Sequence, residues 1–143
     1  MPSKSSVMVD TSAFFSGTKE LREIIEKGNK LSTLDLVVFE FTKVMEEEID
    51  EAKGAGKTAR VELLQHLEER FPNLLKDLEI DPKSPAFTLD DLSELYSMVS
   101  RGLDSGDAMI WLKMRRAGLD TILTDNTSDW KKIGAKVVGV HLI

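Results

Sequence analysis

Two short apolar runs, Val7–Val9 and Thr121–Thr124, each stop at an aspartate, Asp10 and Asp125, and what separates them reads mostly as helix. Strands held apart by helices cannot pair as hairpins. They lie parallel, and a parallel sheet needs helices over both of its faces. The pattern therefore predicts an α/β fold with a central parallel sheet. Val137–Val138 marks a third strand, and His141–Ile143 is a candidate fourth.

Apolar spacing predicts the helices. Leu36–Ile49 carries Val37, Phe41, Val44 and Met45 on one face; Val61–Phe71 carries Leu64, Leu67 and Phe71; Leu89–Val99 carries Leu92, Tyr96 and Val99. A further helix over Ser105–Ala117 aligns Asp107, Ile110, Trp111 and Met114. Gly54–Gly56 reads as a turn between helices, and Pro72, Pro82 and Pro85 as a breaker-rich stretch. Thr88 and Asp91 have the spacing of a capping box, and Gly102 suits a helix stop. A chain of 143 residues with 41% apolar content builds one core, so residues 1–143 are read as a single domain.

Composition narrows the chemistry. There is no cysteine, and the two histidines stand at His66 and His141, so any metal must be held by oxygen. A net charge of −6 argues against a nucleic-acid partner taken alone, but acids that grip a divalent cation are neutralised where they act. No run approaches the roughly 18 apolar residues of a membrane span, and Met1–Ser6 leads into no signal-peptide core, so the expectation is a soluble cytoplasmic protein with no membrane contact.

In an open parallel sheet, ligands gather at the carboxyl ends of the strands, which puts Asp10 and Asp125 on one edge. Asp104 and Asp107 open the Ser105–Ala117 helix and point the same way. Glu40 falls at the border of a buried face, where a charge needs compensation. Each has a plainer role too: turn residue after a strand, helix cap, dipole partner, or partly solvated acid. Taken jointly, acids from four segments converge, and converging carboxylates are matched to a hard cation such as Mg²⁺ or Mn²⁺.

Val9-Asp10-Thr11-Ser12, Glu40, Asp107-Ala108, and Thr124-Asp125 followed by Asp129-Trp130 resemble, in order and over residues 7 to 140, the motifs of PIN-domain ribonucleases. The resemblance implies a three-layer α/β/α fold, a divalent-metal site holding Mg²⁺ or Mn²⁺, and cleavage of RNA phosphodiesters, as in VapC-type toxins with an antitoxin partner. It carries over Asp10, Glu40, Asp107 and Asp125 as the core acids and Asp104 and Asp129 as additional metal ligands. Thr11, Ser12 and Thr124 match small hydroxyl residues beside the site, and Asn126 departs from the family, where many members have a second acid. Lys57, Arg60, Lys113, Arg115 and Arg116 are candidate contacts to single-stranded or looped RNA, and also ordinary surface cations. A homodimer is expected, since a small chain with several amphipathic helices exposes apolar faces.

Other classes fit less well. Gly54–Thr58 resembles the end of a phosphate-binding loop, but the first glycine of that motif is replaced by Glu51 and no strand precedes it. Asn126-Thr127-Ser128 fits a glycosylation sequon by chance, and no serine-hydrolase elbow occurs. A receiver domain needs a phosphoacceptor strand where Glu46–Glu51 reads as helix, and a haloacid-dehalogenase-like phosphatase needs an acid where Ser12 stands. A stand-alone RNA-processing nuclease and a non-catalytic PIN-like binding module remain open beside the toxin.

Overall fold

The computed structural model describes residues 6–16, 18–125, 127–134 and 136–139. In chain order the elements are β1 (Ser6–Val9), α1 (Thr11–Ser16), α2 (Thr18–Glu26), β2 (Lys30–Leu34), α3 (Asp35–Gly54) and α4 (Thr58–Asp77). There follow β3 (Pro82–Lys83), α5 (Leu89–Ser100), α6 (Ser105–Arg116), β4 (Thr121–Thr124), α7 (Thr127–Ile133) and β5 (Lys136–Gly139). The strands form one sheet in the order β3-β2-β1-β4-β5, and each pairing is parallel. This is the three-layer α/β/α fold.

Strand order decides where the helices go. The chain steps outward from β1 to β2 to β3, then returns to β4 and steps the other way to β5. Right-handed crossovers put α1–α4 over one face and α5–α7 over the other. The packing agrees: α1 meets α3, α3 meets α4, α5 meets α6 and α6 meets α7. Between β1 and β4 the order reverses, which opens a crevice at their carboxyl ends.

The central strands β1 and β4 are buried on both faces. Met8, Val9, Ile122 and Leu123 are all inaccessible to solvent. The α3 helix buries Val37, Phe41 and Met45, as its spacing predicts, but leaves Val44 half-buried; it also buries Ile49 and extends five residues past it to Gly54. Phe14 anchors α1 by packing edge-on against Phe41 and Phe71, whose rings stack 4.0 Å apart. Such pairs contribute about 0.5–1.5 kcal/mol each beyond area burial. They hold the helix that carries Thr11 and Ser12.

Several sequence expectations need correction. Pro72 does not break a helix but lies inside α4. Phe71, Leu75 and Leu78 stay buried on either side of it, and that burial outweighs the one backbone hydrogen bond that proline forfeits. Leu67, expected in the core, is 42% exposed. On α5, Tyr96 and Val99 face outward, and the inward positions belong to Asp91 and Met98. A buried acid replaced an apolar residue there and rotated the apparent stripe. β2 was not anticipated, because Ser32 and Thr33 break its apolar run; both are nonetheless buried, and Thr33 Oγ1 donates to the Val9 carbonyl at 3.2 Å. Val137–Val138 falls within β5, whereas His141–Ile143 and Asn126 lie outside the described residues.

Candidate functional site

Asp10 follows β1 directly, and β1 pairs with β4 so that Val9 lies beside Leu123. The Asp10 N–H continues that ladder by donating to the Leu123 carbonyl at 3.0 Å. Its carboxylate therefore sits in the crevice where the strand order reverses. One oxygen, Oδ1, accepts the Thr11 N–H at 2.9 Å, and the other, Oδ2, accepts the Thr124 hydroxyl at 2.8 Å. Thr124 is inaccessible to solvent, and its Oγ1 lies 3.4 Å from Ser12 Oγ, which in turn accepts the Asp125 N–H at 3.2 Å. Three hydroxyl-bearing residues named from sequence thus frame two of the named acids: Thr11 and Thr124 through Asp10, Ser12 through the Asp125 backbone. The Thr11 hydroxyl itself is buried with no partner among the described residues.

Burial pushes the Asp10 carboxyl above its ordinary range, against the bonds from Thr124 and Thr11, and the negative charges of Glu40 and Asp125 push the same way. A second acid behaves alike. Asp107 occupies the first turn of α6 and is raised to about 6, by burial first and then by Asp104, Asp10, Asp129 and Glu40. Desolvation and like charge both favour the neutral form, so each adds to the other. Glu40, Asp125, Asp104 and Asp129 each act on Asp10 or Asp107 as negative neighbours, and Asp10 acts on Asp107.

Each acid is placed by a local cause. Glu40 is half-buried at the border of the α3 core face, as its wheel position predicts. Asp104 is the N-cap of α6 and accepts the Asp107 N–H at 3.0 Å. Gly106 leaves room for this cap, since a Cβ there would stand 3.2 Å from Asp104 Oδ2. Asp129 lies in the first turn of α7, which the fully buried Trp130 fixes against the core. Among the described residues no three of these carboxylates are drawn tightly enough to grip one ion. The donors are oxygen throughout, a set that suits a hard divalent cation and no soft one.

One strand-end acid was missed. Asp35 follows β2 just as Asp10 follows β1, and the pair Leu34-Asp35 repeats the signal of Val9-Asp10. It is not part of the repelling group. Burial is outweighed by bonds from the Ser84 hydroxyl and the Leu36 N–H and by Lys113, so its carboxyl is held below the ordinary range.

The cations named from sequence are mostly engaged within the chain. Lys113 pairs with Asp35 at 3.4 Å, Arg115 with Glu94 at 2.7 Å, Arg116 with Asp91 at 3.0 Å and Arg60 with Glu48 at 3.1 Å. Lys57 makes no ion pair among the described residues. A cavity of about 390 Å³ is lined by Phe14, Phe41, Phe71 and Arg70 among others and by none of the candidate acids. The acids occupy an open edge instead, which admits a polymer more readily than an enclosed pocket does.

The structure is thus a parallel α/β sheet with mutually repelling acids at its topological switch. The chain belongs to the PIN domain family, whose members are generally nucleases: the family profile matches residues 7–136. Among solved structures, the Pyrobaculum aerophilum protein PAE2754 is similar at 18% identity and a TM-score of 0.58, covering 96% of this chain and 85% of that one. A domain of a functionally unknown protein from Methanocaldococcus jannaschii also matches, at 18% identity and a TM-score of 0.47, covering 94% of this chain and 90% of that one. At 18% identity the likeness to PAE2754 speaks for the fold alone. No curated protein matches the sequence significantly.

Proposed function

We propose that this chain is a divalent-cation-dependent endoribonuclease that hydrolyses phosphodiester bonds in single-stranded or looped RNA, and that it serves as the toxin of a VapBC-type pair. The observation that carries the nuclease reading is the raised pKa of Asp107 amid four like charges. Acids kept together without a cation cost stability, and a bound divalent ion removes that cost. In this reading Asp10, Glu40, Asp107 and Asp125 are the catalytic acids, and together with Asp104 and Asp129 they hold Mg²⁺ or Mn²⁺. When bound, such an ion supplies Lewis acidity toward water and phosphate and offsets charge on the leaving oxygen.

The chain's own groups do the positioning. The Thr11 N–H and the Thr124 hydroxyl fix both oxygens of Asp10, and Ser12 ties the Asp125 backbone to the same frame. Asn126 would add an amide oxygen beside them. Lys57, Arg60, Lys113, Arg115 and Arg116 contact RNA in this reading, the last four by exchanging a carboxylate partner for phosphate. Residues 1–143 act as one nuclease domain, in the cytoplasm, as a homodimer that an antitoxin can mask. No helix among the described residues is long and apolar enough to cross a membrane.

Incubation with unstructured RNA in Mn²⁺ and then in EDTA tests the activity. Cleavage in Mn²⁺ and none in EDTA is expected; equal product in both would overturn the reading. A short adjoining reading frame encoding a DNA-binding antitoxin distinguishes the toxin from a stand-alone RNA-processing enzyme.

A further inference from the structure

Phe39 is 65% exposed in the second turn of the amphipathic helix α3. It belongs to no core: the α3 stripe is Val37, Phe41, Met45 and Ile49, and Phe39 points away from it. It immediately precedes Glu40, whose charge is felt at both Asp10 and Asp107, so its backbone stands beside the acid edge. One turn further on, at the i+4 position that shares its flank, stands Lys43, which is exposed and makes no ion pair among the described residues. One turn back, Asp35 lies on the same flank, and its charge is already answered by Lys113 and Ser84. An unpaired cation and a bare aromatic face thus adjoin the candidate site, while four of the five cations named from sequence are committed to carboxylates.

We propose that Phe39 and Lys43 form a subsite for one unstacked nucleobase and its phosphate, on the α3 side of the acid cluster. This rests on the nuclease reading above. Single-stranded RNA presents bases that stack on aromatic side chains whatever their identity, and a cation beside the ring holds the backbone. In a chain of net charge −6, binding requires such local arrangements, because the overall field repels a polyanion. The subsite lets the chain hold the strand by a base while the acids face the phosphodiester.

The test uses the full chain and a labelled unstructured RNA in Mn²⁺, with Asp107→Asn present in the binding arm so that the RNA survives. Phe39→Ala weakens binding about tenfold and Phe39→Trp restores it, in line with the loss of one base stack. A single abasic nucleotide scanned along the RNA reproduces the tenfold loss at one position, and at that position Phe39→Ala adds nothing further. Lys43→Gln lowers the dependence of affinity on salt by about one ion. Unchanged binding by Phe39→Ala overturns the subsite while leaving the nuclease reading intact. So does a loss that Trp fails to restore and that accompanies a changed mass in light scattering, which marks Phe39 as a contact between copies. Absence of both binding and cleavage by the unsubstituted chain overturns the two together.

Discussion

Helices α5 and α6 begin alike and end up electrically opposite. Each has an aspartate three residues after its N-cap: Asp91 after Thr88, and Asp107 after Asp104. Asp91 completes a capping box, accepting the Thr88 N–H at 2.9 Å while the Thr88 hydroxyl accepts the Asp91 N–H at 3.3 Å, and Arg116 lies against it. The Thr88 N–H, opposed by burial and aided by Arg116 and the Thr88 hydroxyl, holds the Asp91 carboxyl below its ordinary range. Asp107 has an acid for a cap and makes no ion pair among the described residues, and it is pushed up to about 6. The same residue type at the same helical position is therefore a structural element in one helix and an unsatisfied charge in the next. Position alone does not separate a cap from a candidate ligand; the sign of the neighbours does.

The largest break in this comparison is in activity. If the proposed nuclease site is right, Asp107→Asn should reduce Mn²⁺-dependent RNA cleavage by more than about a hundredfold, because it removes a charge from the group proposed to hold the cation. Thr88→Ala, which damages only the α5 cap, should cost about 1 kcal/mol of stability and leave the rate per folded molecule within about twofold. Initial rates beside denaturant curves read both. Equal activity losses in the two variants would erase the distinction.

Next in size is the thermal response to metal. At a hundredfold excess over its Kd, a cation that binds only the folded chain stabilises it by about 2.7 kcal/mol. Asp107→Asn should lose most of that Mn²⁺-induced rise in melting temperature, whereas Thr88→Ala should keep it from a lower starting point. An undiminished rise in Asp107→Asn would remove Asp107 from the site.

The smallest effect separates the two aspartates by pH. A carboxyl raised in the folded state stabilises the fold while it is protonated, and that contribution is lost as pH rises through the folded pKa. In EDTA, wild type should therefore be less stable than Asp107→Asn at pH 7, and the gap should close as pH falls through about 6 toward 4. After allowance for the water that screens a half-exposed group, the gap is of the order of 1 kcal/mol. Asp91 works in reverse, since its contribution is present above the ordinary carboxylate range and is lost only in stronger acid. Melting curves from pH 4 to 7 that keep a constant gap would contradict the raised Asp107.

The positions of the candidate acids were legible where they are tied to features with strong sequence signals. Asp10 and Asp125 end apolar runs, Glu40 borders a periodic stripe, and Thr88–Asp91 has a capping spacing that the hydrogen bonds reproduce in both halves. Burial of polar groups was not legible. Ser32 and Thr33 disguise β2, although Thr33 finds the Val9 carbonyl once the strands pair. Asp91 takes an inward position on α5 because Arg116, 25 residues away, neutralises it, and no local window contains that pairing. For the same reason the commitments of Lys113 and Arg115 could not be read: their partners sit on other elements.

The short edge strand β3 has a consequence for how copies of the chain can meet. It pairs only two residues with β2, and one of them is Pro82, which has no N–H to offer. An incoming strand would find neither the length nor the donors to extend the sheet on that side, which is how many proteins forestall runaway fibre growth. Assembly there is steered away from open-ended strand addition and toward helix surfaces, where contacts can close on themselves and stop.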